Sequence, residues 1–448
     1  MAAGKTSHQA RVAEFIANLR YDTLPREIVE DARYRLLDWI GSALAGVRSQ
    51  PALMVTEMVR AGGGSHQATV IKGGIKVPAP QAAFANGFIG HVAEFDDGHR
   101  LAIGHPGAVT VPVSLAVAEA CSRSGKELLT AIVAGYEVLI RLGIAVNPSH
   151  YKIWHTTGTC GAFAAAASAS SLLKLDPRRT QMALGIVGTM ASGLLAKTIG
   201  THAKPLNAAH ACQSGVQAAL LAMEGFTGPE DVLTGEKGFL QATSADCSTK
   251  VLEDISEKKL LSNTAFYKVY ASCGHTNSPL DAIFMIMKEH DVPVHSIKQV
   301  LVETYRTSVE LTGAFRNHDG EEAKFSLPYC IAAALLYKKV TLEEFTPGKL
   351  HDPVVVDLAA RVTVTEDAEA TKVFPARRAT IKIELRNGRV IEKKVYSSND
   401  TPDYAAIGEK FMSLAMTTVD GRSAQKIKSL ALGVDTLDTA DELMGFLA

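Results

Sequence analysis

Between Val12 and about Leu261, apolar residues recur three and four apart in segment after segment, with turn signals between them. That periodicity selects helices over strands for most of the chain. The clearest helix spans Pro25 to Val47, with Ile28, Ala32, Leu36, Leu37, Ile40 and Leu44 as its stripe and Pro25 near its first turn, where a missing amide costs least. Gly41, Ser42, Ala43, Ala45 and Gly46 make its far end thin, which suits close helix packing. The same alanine and glycine enrichment recurs at 109–120, 161–171, 182–195 and 208–223. A bundle of tightly packed helices is the expected consequence.

Near Leu261 the character changes. Short β-branched alternations occupy 299–305 (QVLVETY), 361–365 (RVTVT), 379–385 and 389–396. The last two flank Asn387-Gly388, a hairpin signal because a two-residue turn needs positive φ at both central positions. Helical segments at 278–288 and 327–336 lie between the strands, so the region from Lys268 to about Ser398 reads as a smaller α+β domain. After Pro402 the helical pattern returns at 403–415 and 423–432, in a tail that can dock back on the first domain. The expected domains are 1–266 together with 400–448, and 267–399.

Acidic and basic residues nearly cancel, 47 against 46, and no long run of one sign occurs. There is no electrostatic footprint for nucleic acid or an anionic membrane, so the expected partners are small molecules or copies of the chain itself. The opening MAAGKTSHQARVAEF lacks the order of a secretory signal, which gives a cytoplasmic expectation. Apolar stretches such as 161–173 fall short of the roughly 20 residues a membrane span needs. Cys121, Cys160, Cys212, Cys247, Cys273 and Cys330 are scattered without the spacing of a metal or iron–sulfur site. Free thiols and chemistry without a cluster or other cofactor are expected.

Titratable groups are densest at 86–113, NGFIGHVAEFDDGHRLAIGHPGAVTVPV, where His91, Glu94, Asp96, Asp97, His99 and His105 fall within fifteen residues. A helix ending near Phe95, a loop through Gly98 and Gly104, and a helix starting near Pro112 would bring several of them together. Four other places stand beside it. His150-Tyr151 and Trp154-His155 precede the helix start HTTGTCGAF, whose amides suit a carboxylate. Lys204 precedes a proline in a segment otherwise built for burial, where a lysine loses its charge or finds an anion. Lys268, Cys273 and His275 lie at the domain change, and KFSLPY, ending in Tyr329, opens a helix. Each has a plainer explanation: capping acids, a turn histidine at His105, a structural ion pair for Lys204, core roles for Trp154 and His155, a packing role for Tyr329. Three histidines and three carboxylates invite a metal, yet no HxH or HExxH spacing sets two ligands on one helical face, and none is expected.

Taken together, NGFIGHVAEFDDGHRLAIGHPG, HYKIWHTTGTCGAF, THAKPLNAAHACQSGVQAALLA, YKVYASCGHTNSPLDA and AKFSLPYCIAAALL resemble the MmgE/PrpD family over essentially the full chain. The family includes cluster-free 2-methylcitrate dehydratases, cis-aconitate decarboxylases and an iminodisuccinate epimerase. The resemblance implies a mainly α fold, a large all-helical domain with a smaller inserted α+β lid, and a homodimer. It also implies a site between the domains. Glu94, Asp96, Asp97, His99, His155, Lys268, Cys273 and Tyr329 would bind substrate there, and His105, Tyr151, Lys204 and His275 would carry catalysis. The family's shared chemistry is manipulation of a carbon next to a carboxylate, which needs a proton acceptor at the carbon and fixed cations at the carboxylate. Lys204 and Lys268 suit the second role; His105, His275 or the Tyr151 phenol suits the first. The chain departs from the dehydratase pattern D-x-N-D-T-W, reading Glu94-Phe95-Asp96-Asp97-Gly98-His99. It departs from the decarboxylases in having Glu94 for aspartate and Cys273 for histidine. The leading expectation is a lyase releasing water or carbon dioxide from a small di- or tricarboxylate. The alternatives are an epimerase of an aspartate- or iminodisuccinate-like dicarboxylate and a polycarboxylate-binding dimer without catalysis.

Overall fold

The helical periodicity becomes six long helices in the computed structural model, which describes residues 7–196, 198, 200–396 and 403–448. They are α1 (Arg26–Gly46), α2 (Ala79–Val92), α3 (Pro106–Ala120), α4 (Gly125–Val146), α5 (Thr156–Leu172) and α6 (Ala203–Met223). Local chemistry sets their ends. A reciprocal capping box of Ser124 and Glu127 opens α4. Pro106 takes the first position of α3, so this helix starts earlier than the expected Pro112, which is carried inside it. Helix α2 stops at Val92, short of the expected Phe95. The chain then turns out through Glu94, whose φ of +56° is the left-handed value that usually falls to glycine after a helix. The expected helix at 182–195 ends at Gly188, and the chain runs on extended, pairing Leu194 with Trp154.

These helices belong to the first of two compact units, Met1–Ala196, His202–Tyr267 and Pro402–Ala448. Helix α5 is buried from Thr156 through Ser170 and packs against α3, α4 and α6. Its alanines keep the contact surfaces shallow, so the helix axes approach closely. Helix α4, 22 residues long, is apolar enough to cross a membrane by length and composition, a feature the sequence reading passed over. Here it is a core helix whose internal ion pair, Arg141 with Glu137 at 3.1 Å, is shielded from solvent. The unit is not all-helical, which corrects that expectation. Strands β1 (Ala68–Val70) and β2 (Ile75–Val77) pair antiparallel, Ala68 opposite Val77, across a turn with Gly74 at φ +63°. Strands of three residues are too short to show an alternation.

The second unit, Lys197–Thr201 and Lys268–Thr401, carries a four-stranded mixed sheet of order β4-β3-β5-β6. Its strands are β3 (Ile297–Thr304), β4 (Val362–Glu366), β5 (Ala379–Leu385) and β6 (Val390–Val395). Strand β3 runs parallel to β4 and antiparallel to β5, which forms a hairpin with β6. Val300, Val302, Ile381 and Ile383 are buried, and helix α7 (Asn277–Glu289) packs on β5 and β6. Helix α8 (Leu327–Tyr337) packs on α7 and β4. The hairpin differs from the expected two-residue turn. Leu385 N donates to Arg389 O at 2.8 Å, leaving a three-residue loop in which positive φ, +87°, is confined to Gly388. The architecture is therefore mainly α, a large helical part with a small inserted sheet region.

Candidate functional site

In the first unit four helix ends bring their side chains together. His91 lies in the last turn of α2, His105 and His155 occupy the residues just before α3 and α5, and Lys204 sits in the first turn of α6. Three of these ends are N-termini, whose exposed amides make the region favourable to negative charge. The Lys204 ammonium, only 5 % exposed, donates to Glu94 and, at 3.3 Å, to His91 Nε2. On the other side of the same ring, His91 Nδ1 donates to Asp96 Oδ2 at 2.8 Å. The His91 ring centre lies 4.9 Å from that of His105 and 6.0 Å from that of His155. Glu94, Asp96, His105, His155 and Lys204 are thus gathered around one imidazole that the sequence reading placed in the cluster but gave no role.

The partners fix the tautomers. His105 Nδ1 lies 2.6 Å from the Asp97 carbonyl, which can only accept, so Nδ1 holds the proton and in the neutral ring Nε2 holds the lone pair. Asn207 donates to His155 Nδ1 at 3.4 Å. Burial first, then the neighbouring Lys204 charge, hold His155 well below the ordinary histidine value, so it is neutral.

Asp97 belongs to a different arrangement. Its Oδ1 accepts from Gly107 N at 3.0 Å, and its Oδ2 accepts from Tyr136 at 2.6 Å and Arg35 at 3.3 Å. Arg35 is shared with Asp31 and lies 3.7 Å over the Tyr267 ring, with Tyr267 donating to Asp31 at 2.8 Å. Burial raises Asp97 to about 6, against the pull of Arg35 and Tyr136. Gly107 is required here, because a Cβ would meet Asp97 Oδ1 and Tyr136 Oη at 2.9 Å. Asp97, expected to bind substrate, ties the loop to α1, α3 and α4. His99 is similar: Nδ1 accepts from Ala102 N at 3.0 Å and Nε2 faces Thr264 Oγ1 at 2.9 Å, a loop-holding role. Sequence reasoning missed Arg35 and Tyr136. The available signal was Asp31, Arg35 and Asp38, four and three apart, interleaved with the apolar stripe of that helix.

Tyr151 lies on the short turn His150–Lys152, with its amide held by Asn147 Oδ1 at 3.1 Å. Its neighbour His150 is buried, donating from Nδ1 to Thr243 O and accepting at Nε2 from Thr159, and burial lowers it to about 4. His91, Asp96 and His105 also present donor atoms within 4.8 Å of one another, a set able to hold a metal ion. A cation there would take the place of the proton between His91 Nδ1 and Asp96 and draw His105 Nδ1 from the Asp97 carbonyl. The arrangement suits a hydrogen-bonded group better.

The second unit holds the other expected residues. Lys268 is 1 % exposed. Cys273 precedes the turn Gly274–Thr276, its amide donating to Lys324 O at 3.0 Å. His275 Nδ1 meets Tyr305 Oη at 2.7 Å, and Ser308 Oγ donates to the His275 carbonyl. Tyr329, expected at the substrate, is a buried packing aromatic: its hydroxyl donates to the Glu344 carbonyl and its ring lies against Phe345.

Comparison with known proteins adds an independent observation. The MmgE/PrpD N-terminal domain matches residues 10–251 and the MmgE/PrpD C-terminal domain matches residues 270–436. The chain is similar to the cis-aconitate decarboxylase-like protein oryM of Aspergillus oryzae, 27% identical over 98% of this chain and 97% of that protein. It is 28% identical to the cis-aconitate decarboxylase of Homo sapiens over 84% of this chain and 80% of the relative. The mitochondrial 2-methylcitrate dehydratase of Yarrowia lipolytica is 24% identical over 85% and 77% respectively.

Proposed function

The chain belongs to the MmgE/PrpD family of carboxylate-acting enzymes, and on that premise we propose that it is a lyase. Its substrate is a small di- or tricarboxylate, from which it releases water or carbon dioxide through proton transfer at the carbon beside a carboxylate. The observation that carries this reading is Lys204, a buried lysine at the start of one helix, paired with Glu94 where the N-termini of two further helices and His105 come together. Lys204 holds the substrate carboxylate. His105, with Nδ1 committed to the Asp97 carbonyl, accepts the proton at Nε2. The electron pair left on carbon spreads onto the carboxylate oxygens, where the ammonium stabilises it without reorganising. Expulsion of hydroxide, protonated as it leaves, completes a dehydration. In the decarboxylating direction the imidazole starts as the imidazolium, protonated from solvent, and delivers that proton to carbon as the electron pair of the C–C bond moves onto the remaining carbon framework and carbon dioxide leaves. The similarity to cis-aconitate decarboxylases and a 2-methylcitrate dehydratase supports these substrates as the first to try.

The test is incubation with cis-aconitate, citrate and 2-methylcitrate, following alkene absorbance, carbon dioxide and deuterium uptake from solvent. Replacing His105 with Asn is expected to lower kcat by about 10²–10⁴-fold, the usual worth of a positioned acid or base. Lys204→Gln is expected to lower kcat/KM with a large part in KM. A chain that neither turns over nor exchanges a proton in any polycarboxylate would reject the proposal. Deuterium uptake with inversion and an unchanged formula would make it an epimerase instead.

A further inference from the structure

The reading just given uses Lys204 and His105 and leaves the central imidazole without a task. We infer that His91 is a positioning residue that orients the Lys204 ammonium, as the middle member of a relay running from Asp96 through His91 to Lys204. This rests on the proposed carboxylate chemistry for its purpose, though not for its geometry.

Asp96 Oδ2, 2.8 Å from His91 Nδ1, takes the proton on that nitrogen. The opposite nitrogen, Nε2, is then an acceptor, and Lys204 Nζ stands 3.3 Å away. An ammonium has three protons and no acceptor capacity. One goes to Glu94 and one to His91 Nε2, and these two acceptors set where the ammonium sits. Were Nε2 to carry the proton, two donors would face each other at 3.3 Å in a buried site, so the carboxylate at Asp96 sets the direction of the whole chain. His91 itself has no freedom to turn away: it is 0 % exposed, with the rings of His105 and His155 packed against it. A flexible lysine side chain placed by two fixed acceptors loses its rotational freedom before substrate arrives, which is the advantage of a preorganised site.

Two substitutions separate this role from mere packing. His91→Asn keeps a donor near Nδ1 for Asp96 and removes the acceptor from Lys204; His91→Gln reaches the Nε2 position with an amide oxygen and keeps the acceptor. With cis-aconitate as substrate, Asn is expected to raise KM by about tenfold or more, and Gln to stay within about threefold, as for loss and retention of one hydrogen bond to a charged group. Equal losses in both, at equal thermal stability, would overturn the assignment. A second readout needs no activity. Long-range proton–nitrogen correlation spectra of the imidazole-labelled full chain are expected to give His91 the Nδ1–H tautomer, and an Nε2–H tautomer would overturn it. A wild-type chain inert toward every polycarboxylate would reject the lyase reading, while the spectra would still decide the state of His91.

Discussion

A lysine in the first turn of a helix is electrostatically misplaced, since the helix N-terminus is already positive. Burial makes the placement of Lys204 costlier still. Glu94 is the compensation, and it reaches the lysine from a left-handed backbone conformation that costs a non-glycine residue about 1–2 kcal/mol. Such cost at a polar cluster is the mark of a position held for its side chain. Glu94→Gln is therefore expected to lower the unfolding free energy by about 3 kcal/mol, because it removes the carboxylate charge from a buried ion pair. Denaturant titration checks this, and an unchanged midpoint would contradict it. His150 gives a pH-dependent counterpart. Its folded value near 4 lies below the ordinary 6.5, so its contribution to stability is present above about pH 6.5 and is lost as pH falls toward 4. Linkage puts that loss at about 3 kcal/mol. Unfolding of His150→Gln across this range should show a correspondingly shallower decline than the wild type, and parallel curves would refute it. Much of this was legible in the sequence: the 94–105 cluster, Lys204 and His155 are where helix ends meet. Missing was the division of labour. Asp96 and Asp97 are neighbours in sequence, yet one faces His91 and the other Arg35, and no one-dimensional pattern distinguishes them.

Elements were read more surely than sites wherever the period was long enough to register. Helix α1 was expected at 25–47 and occupies Arg26–Gly46; α7 and α8 lie where helical segments were expected, at 278–288 and 327–336. Failures occurred where a local rule competed with the pattern: proline tolerated inside α3, a three-residue hairpin loop, and two strands of three residues each. The abundance of small residues, by contrast, was a sound guide to helix packing, and it makes a sharp expectation at the crossing of α1 and α2. At Gly90 a Cβ would sit 2.4 Å from Trp39 Nε1, with the indole ring buried and hemmed in. Gly90→Ala gains slightly in helix propensity, about 1 kcal/mol, and loses more to overpacking, about 1–3 kcal/mol or beyond for so close an approach. We expect net destabilisation in thermal unfolding. A stabilised variant would mean that Trp39 can move aside. In the second unit, Tyr305→Phe removes the hydroxyl that meets His275 Nδ1 at 2.7 Å, and should cost about 1 kcal/mol by the same measurement.

At the scale of the whole molecule, the first unit is completed by a part of the chain that arrives after the second unit has been made. Residues 403–448 do not merely cover a surface. Phe411, Ile427, Leu430, Val434, Leu443, Met444 and Leu447 lie in the same hydrophobic core as α1 through α6. At about 2 kcal/mol for each large side chain buried, that segment withdraws on the order of 14 kcal/mol of apolar contact from water. This is as large as the whole net stability of an ordinary domain, about 5–15 kcal/mol. The polar ties are as specific: Lys410 pairs with buried Asp38 at 2.7 Å, Tyr404 stacks on Tyr34 at 4.1 Å, and Asp435 receives Arg33 and Tyr21, both at 2.6 Å. One tie reaches the candidate site, because Lys410 Nζ also donates to the Phe95 carbonyl at 2.7 Å, within the loop that carries Glu94, Asp96 and Asp97. A chain ending at Tyr396 should therefore lose cooperative thermal unfolding of the helical part, bind a hydrophobic dye, and migrate as aggregate on size exclusion. Lys410→Met is the milder version of the same experiment. It leaves the apolar seam intact and removes two bonds, one to Asp38 and one to the site loop. Asp38 would then be buried without its cation, a loss of about 3 kcal/mol. If the loop depends on this bond for its place, turnover in Lys410→Met should fall further than an equally destabilising change in the core such as Gly90→Ala; equal activity in the two variants would show that the C-terminal segment serves the fold alone.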